Sequence, residues 1–302
     1  MTAFLARVLF VLAGLLGRLP WPLLAAMGDG LAWLWRRFDL RESRVARRNL
    51  EIAYPGLPEA ERARLHREIL RTTARQAFET LRLWTRPHAD NLRGMLVERH
   101  GVEAFDAAIA AGKGVIVAAP HHGNWELLNQ WLADHTPLAI LYRPPDSAVG
   151  EAFLRLARAD AGDRVTQIRA EAAGIRQLFK RLRDGGVVGI LPDQQPKQGD
   201  GEFAPFFGRE AYTMSLLPRL AERSGAAVLF AWCERIGPLR FALHIVPAPP
   251  GIADADTLAA TTTLNAAVET IARRDPAQYQ WTYKRWTLHP SWNPYHNPYR
   301  DL

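Results

Sequence analysis

The stretch His121-His122-Gly123-Asn124-Trp125-Glu126 places an imidazole five positions before a carboxylate. It directly follows an apolar run, GVIVAAP (114–120), and precedes a helical pattern beginning at Trp125. A histidine at a strand end can act as a general base when a carboxylate holds one ring nitrogen and leaves the other free. The spacing predicts that Glu126, in the first turns of the helix, reaches back to His121. Such a base can activate a substrate hydroxyl without a Ser, Cys or Lys nucleophile. The turn at Gly123–Asn124 carries the chain into the helix, and Gly123 permits close backbone approach. A second polar junction, Leu191-Pro192-Asp193-Gln194-Gln195, follows another apolar run, VVGILP (187–192). Other chemistries lack their residues. There is no G-x-S-x-G nucleophile elbow, no H-E-x-x-H and no cysteine pair, so no metal site is expected. Gly112-Lys113-Gly114 lacks the remainder of a phosphate loop. The lone Cys233 lies inside an apolar strand and reads as a buried structural thiol.

The elements that must position these groups alternate. Strands are predicted over 114–120, 138–142, 187–192, 226–233 and 240–246. Helices are predicted over 125–133, 148–161, 170–183, 213–224 (with Gly225 as a stop) and 254–274. This alternation defines an α/β fold, a mixed and mostly parallel sheet flanked by helices, whose functional groups gather where strands end and helices begin.

The net charge of +7 lies entirely in the first third, where residues 1–100 hold 17 Arg, no Lys and 10 Asp/Glu. Residues 8–17 (VLFVLAGLLG) and 19–35 are apolar and end in Trp33, Trp35, Arg36 and Arg37. Neither is a clean run of the roughly 20 residues that a spanning helix needs. An interfacial helix or marginal span fits better, beside an anionic membrane surface, although a buried N-terminal helix pair is the alternative. No nucleic-acid-binding signature accompanies the basic charge, so no nucleic acid is expected as a partner. The organisation expected is a hydrophobic membrane anchor over 1–38, an α/β domain over 39–290 (a basic helical part, 39–100, and a catalytic core, 101–290), and an irregular tail over 291–302.

His121-x4-Glu126, written HHGNWE, resembles the signature of the bacterial lipid A late acyltransferases and, more distantly, of the glycerolipid acyltransferases with a His-x4-Asp motif. The likeness continues through NLEIAYP (49–55), Tyr142-Arg143-Pro144, Arg158, Leu191-Pro192-Asp193-Gln194, Phe206-Phe207-Gly208 with Ala211 and Thr213, and WTYKRW (281–286). It implies a glycerolipid-acyltransferase-like fold and a membrane-associated O-acyltransferase. That enzyme would move a fatty acyl chain from an acyl carrier protein thioester to the hydroxyl of a 3-hydroxyacyl chain on the Kdo-bearing lipid A precursor. It would work at the cytoplasmic face of the inner membrane and use no cofactor beyond the acyl-carrier-protein co-substrate. By the same resemblance His121 is the base and Glu126 orients it. Arg158 and Asp193 support the site or bind substrates, and His122 is a wall residue. Read from the residues themselves, backbone N–H groups near Gly123 or the side chains of Arg143 or Arg158 are the candidate oxyanion donors, and Gly123, Asn124 and Arg143 join the expected substrate-binding set. Arg143 and Asp193 also have plainer readings: Arg143 closing a loop by pairing with a carboxylate, and Asp193 capping or turning the chain. Two rivals remain at this level, a lysophospholipid or ornithine-lipid O-acyltransferase and a non-catalytic membrane-surface binding protein. A transferase calls for an apolar groove beside the base.

Overall fold

The computed structural model describes residues 1–158 and 164–302. Five helices come first: α1 (Thr2–Gly17), α2 (Trp21–Arg37), α3 (Arg41–Ala53), α4 (Glu59–Trp84) and α5 (His88–Met95). The alternating part follows as β1 (Leu96–His100), α6 (Val102–Ala110), β2 (Val115–Ala118), α7 (Trp125–His135), β3 (Leu138–Tyr142), α8 (Ala148–Ala157), β4 (Val165–Arg169), α9 (Ala172–Arg183) and β5 (Val187–Ile190). The chain then forms β6 (Gly201–Phe206), β7 (Arg209–Met214), α10 (Leu216–Ser224), β8 (Ala227–Gly237), β9 (Arg240–Pro247) and α11 (Thr257–Arg274).

The main sheet runs β1-β9-β8-β2-β5-β3-β4 among the described residues. Every neighbouring pair is parallel except β8 and β9, which are antiparallel. The α/β expectation is therefore met, with a mixed and mostly parallel sheet. Side chains alternate across β2: Ile116 and Ala118 enter one buried cluster, and Val115, Val117 and Ala119 the other. Both faces of the central strands are covered, which is why β2 and β5 read as unbroken apolar runs. From β2 the chain travels outward to β3 and β4. It returns to β5 and later crosses to β8 on the other side of β2. The carboxyl ends of β2 and β5 thus flank the point where the winding reverses, the crevice in which open α/β sheets bind ligands.

Several boundaries differ from the sequence reading. Strands β1 and β4 were not expected, and residues 201–214 form a separate β6–β7 hairpin. Its two-residue turn uses Phe207 and Gly208, both at positive φ (52° and 72°), as the twist of a tight hairpin requires. The helix expected from Thr213 begins at Leu216, because Thr213 and Met214 finish β7. Gly225 ends α10 in the left-handed conformation as expected. The end of the helix expected over 148–161 lies outside the described residues beyond Arg158.

At the N-terminus no single helix is long and apolar enough to cross a membrane; α1 and α2 meet at 110°. The 16 residues of α1 extend about 24 Å, short of the roughly 30 Å hydrocarbon core. This helix turns its small residues inward, with Ala6, Ala13 and Gly17 buried. Phe4, Leu5, Val8, Leu9, Val11, Leu12 and Leu15 face outward. A contiguous exposed apolar face of this kind marks an interaction surface rather than ordinary exterior.

Candidate active site

The sheet register builds the centre of the site. Strands β2 and β5 pair in parallel with Ala118 opposite Ile190. Three residues further on, the same offset puts His121 opposite Asp193. Asp193 Oδ2 accepts the His121 backbone N–H at 2.9 Å, and Oδ1 accepts the ring Nδ1–H at 2.7 Å. The Tyr279 hydroxyl also donates to this carboxylate. Burial opposes the charge on Asp193, yet the His121 imidazole and these hydrogen bonds outweigh it and hold the carboxyl below its ordinary range. An ionised Asp193 only accepts, so it fixes the proton on Nδ1 and turns the Nε2 lone pair outward. The Gln194 amide donates to Nε2 at 3.2 Å and to Gln280 Oε1 at 3.1 Å. The Trp125 ring packs edge-on at 4.8 Å, and the His121 carbonyl accepts from Gln280 N–H at 3.0 Å.

The carboxylate holding His121 is therefore Asp193, not Glu126. Glu126 makes no hydrogen bond to His121 among the described residues; it binds Arg158 through three contacts of 2.5, 3.2 and 3.3 Å. Glu126 lies on the first turn of α7 and Arg158 caps α8, so this buried fork ties the two helices together. The structure does not bring Glu126 to the His121 ring, because lateral pairing across the sheet, and not the five-residue spacing, sets the neighbour of the ring.

Gly123 and Asn124 are anchored as well. Gly123 has φ 63°, and a Cβ there would lie 1.9 Å from the Cys233 carbonyl oxygen, so no other residue fits this turn unstrained. The Gly123 N–H donates to the Gln278 carbonyl at 3.1 Å and the Asn124 N–H to the Cys233 carbonyl at 2.8 Å. Neither amide is free to receive a ligand. The Asn124 side chain caps α7 through Leu127 N–H and donates to Glu79 at 3.3 Å. Glu79 is fully buried and takes two bonds from Arg235, at 2.8 and 2.5 Å. This network, absent from the sequence reading, fastens the His121 loop to α4 and β8. Arg143 is exposed and carries no ion pair among the described residues, and its charge acts on Tyr283 beside the site. Tyr279, Gln194, Glu79 and Gln278 were also missed. Only Gln194 carried a signal, its place beside Asp193 at a strand end.

His122 is fully buried, and neither ring nitrogen has a hydrogen-bond partner. Burial lowers its pKa to about 4, so it stays neutral at pH 7. Below pH 6.5 the unfolded chain takes up a proton that the folded chain refuses until about pH 4. Stability should therefore fall across that window by up to about 3 kcal/mol. His122→Phe should remove this part of the acid slope, measured by denaturant unfolding at a series of pH values; an unchanged slope contradicts it. Cys233 is buried and burial pushes its thiol up, which removes it as a nucleophile. No group of three or more metal-ligating side chains occurs among the described residues. The cavity between Asp193, Gln194, Tyr279, Tyr283 and Arg285 measures about 10 Å³. It has room for one water and not for an acyl chain.

A buried Asp–His pair at the crevice of a mostly parallel α/β sheet, with its outer imidazole nitrogen presented, is chemically competent to take a proton from a hydroxyl without a nucleophile of its own. The model of the bacterial lipid A biosynthesis acyltransferase family matches residues 2–287, and the chain belongs to that family. It is 27% identical over 275 residues to the lipid A biosynthesis palmitoleoyltransferase of Escherichia coli (strain K12), covering 90% of this chain and 88% of that protein. It is 25% identical over 281 residues to the lipid A biosynthesis lauroyltransferase of the same organism (92% and 89%). A phosphatidylinositol mannoside acyltransferase of Mycobacterium tuberculosis is 31% identical over 159 residues (51% and 49%). The protein is an O-acyltransferase of lipid A biosynthesis, which sets aside the non-catalytic rival.

Proposed function

We propose that the protein transfers a fatty acyl chain from an acyl carrier protein thioester to the hydroxyl of a 3-hydroxyacyl chain on the Kdo-bearing lipid A precursor, at the cytoplasmic face of the inner membrane. The observation that carries the chemistry is the His121 ring, held by buried Asp193 through Nδ1 and presenting Nε2. In this reading the acceptor hydroxyl displaces the Gln194 amide from Nε2. His121 takes the hydroxyl proton as the oxygen attacks the thioester carbonyl, and Asp193 stabilises the imidazolium. The tetrahedral intermediate collapses with cleavage of the carbon–sulfur bond. The imidazolium then returns its proton to the leaving thiolate, giving the ester and the free carrier thiol. The outward apolar face of α1, and Arg143, exposed and without an ion pair among the described residues, support contact with a bilayer and with substrate phosphates.

The oxyanion needs a donor, and the amides of Gly123 and Asn124 are already engaged. The Gln194 amide, tethered by Gln280, is the side-chain donor beside Nε2 and takes that role once the hydroxyl replaces it. Gln194→Ala should lower kcat by about 10²-fold with little change in KM. An unchanged or raised kcat makes Gln194 a mere cap on the resting base. The whole reading is tested with purified protein, acyl-loaded carrier protein and a panel of acceptors, together with mass spectrometry of lipid A from cells with and without the gene. Transfer to lysophospholipid or ornithine lipid in preference to the lipid A precursor would replace the acceptor assignment.

A further inference from the structure

Helices α2 and α4 pack closely at Gly28, where a Cβ would lie 3.1 Å from the Arg75 Cα. Arg75 closes the contact with a two-bond fork to Asp29, at 2.6 and 2.5 Å. Beside this pair the helices diverge into an open groove of about 340 Å³. Its walls carry Arg36 and Trp33 from α2 and Arg64, Arg67 and Arg71 from α4. The α4 arginines share one face through their spacing of three and four residues. None of the four arginines has an ion pair or a side-chain hydrogen bond among the described residues. Some neighbouring arginines are satisfied: Arg47 pairs with Asp39, Arg48 with Glu51 and Asp301, Arg75 with Asp29, while Arg37, Arg44 and Arg62 lie outside the groove and have no ion pair among the described residues. The one acid in the groove besides paired Asp29 is Glu68, leaving four positive charges against one unpaired negative.

A solvated helical face would balance its charge, whereas this groove gathers four arginines against one free acid, Glu68. A concave site with convergent, unpaired guanidinium groups suits a phosphate. The source of that phosphate is set by what adjoins the groove. Trp33 is 52% exposed at its lip, and Leu23, Met27, Leu34 and Phe38 of the α2 region are exposed around it. Helix α1, which meets α2 at 110°, carries a further exposed apolar face. Tryptophan and arginine above an apolar face match the headgroup depth of a bilayer.

We propose that the α2–α4 groove binds the phosphate headgroup of an anionic bilayer phospholipid, at a site separate from His121. The proposal rests on the membrane association stated under the proposed function and is independent of the transfer chemistry. Its specific content is that Arg36, Arg64, Arg67 and Arg71, not the paired Arg47 and Arg48, read the lipid charge.

The test is sedimentation of the full-length protein with vesicles of phosphatidylcholine alone and of phosphatidylcholine mixed with phosphatidylglycerol. Binding of the unaltered protein to phosphatidylcholine alone reports the membrane association. The increment on adding phosphatidylglycerol reports the groove. Arg67→Gln with Arg71→Gln should reduce that increment about 25-fold, on the basis of roughly fivefold per arginine near an anionic surface. Trp33→Ala should weaken it without changing net charge. A charge-matched control, Arg176→Gln with Arg219→Gln on exposed positions elsewhere, should change it little. Acyl transfer in detergent micelles should be the same in all variants. An equal loss in groove and control variants would reduce the effect to diffuse charge and overturn the proposal. So would normal vesicle binding by the groove variants, or their loss of acyl-carrier-protein binding in its place.

Discussion

His121→Ala is expected to lower acyl transfer by about 10²–10⁴-fold while leaving the chain folded. The ring is held by Asp193 through Nδ1 with Nε2 outward, so on the proposed reading its loss removes the base and not merely a contact. Folding survives because Asp193 keeps the backbone N–H of residue 121 and the Tyr279 hydroxyl as donors. Asp193→Asn should reduce turnover comparably, since an amide can present its own N–H to Nδ1 and shift the ring proton to the attacking nitrogen. Glu126→Gln separates the two carboxylates. It weakens the fork to Arg158 but leaves the His121 tautomer untouched, so its loss of kcat should be the smaller. Steady-state rates for the three variants decide the matter. Near-normal turnover in His121→Ala removes it as the base, and a larger defect in Glu126→Gln than in Asp193→Asn reverses the assignment of the orienting group.

The second large effect concerns stability. Glu79→Ala leaves the Arg235 guanidinium, 15% exposed, without its carboxylate and is expected to destabilise the fold by about 3–5 kcal/mol. Native domains commonly hold only about 5–15 kcal/mol in total. Because Glu79 also receives Asn124, the loss should reach the His121 loop as well. Glu79→Leu combined with Arg235→Met should recover most of the stability, since an apolar pair of similar volume removes the buried charge. Urea unfolding of both variants measures this. A single variant within about 1 kcal/mol of the parent would show that water solvates Arg235 far better than its burial implies.

The strand–helix junctions that carry the site were legible in the sequence, because β2 and β5 are apolar on both faces and end abruptly in polar residues. Which carboxylate meets His121 was not. The spacing from His121 to Glu126 is local, whereas Asp193 is 72 residues away and arrives only through the β2–β5 register. Strand order in a parallel sheet is fixed by crossovers that leave no local trace. Strand β1 escaped notice for a related reason: four of its five residues are exposed, so it lacks the apolar alternation that marks a strand. The hairpin β6–β7 was obscured because its turn places a phenylalanine, Phe207, at positive φ, where glycine or asparagine is the usual signal. The N-terminal arginines were legible as a charge but not as paired and unpaired sets, which depend on how α2, α3 and α4 come together.

The Gly123 turn rests on the Gln278 carbonyl, Asp193 on the Tyr279 hydroxyl, and the Gln194 amide on Gln280. That same segment is bonded to the third helix, with Asn49 donating to the carbonyls of Trp281 and Tyr283 across 232 and 234 positions, and Tyr299 returning to Asn49 across 250. The two distant parts of the polypeptide therefore close over the reacting centre like a clasp. A nascent chain on the ribosome possesses His121 and Asp193 long before it possesses Tyr279. Loop closures of this length are among the slow steps of folding. The contacts that brace His121 and Asp193 thus depend on the last part of the chain, and a chain cut short before Tyr279 would keep the pair without the Tyr279, Gln278 and Gln280 supports around it.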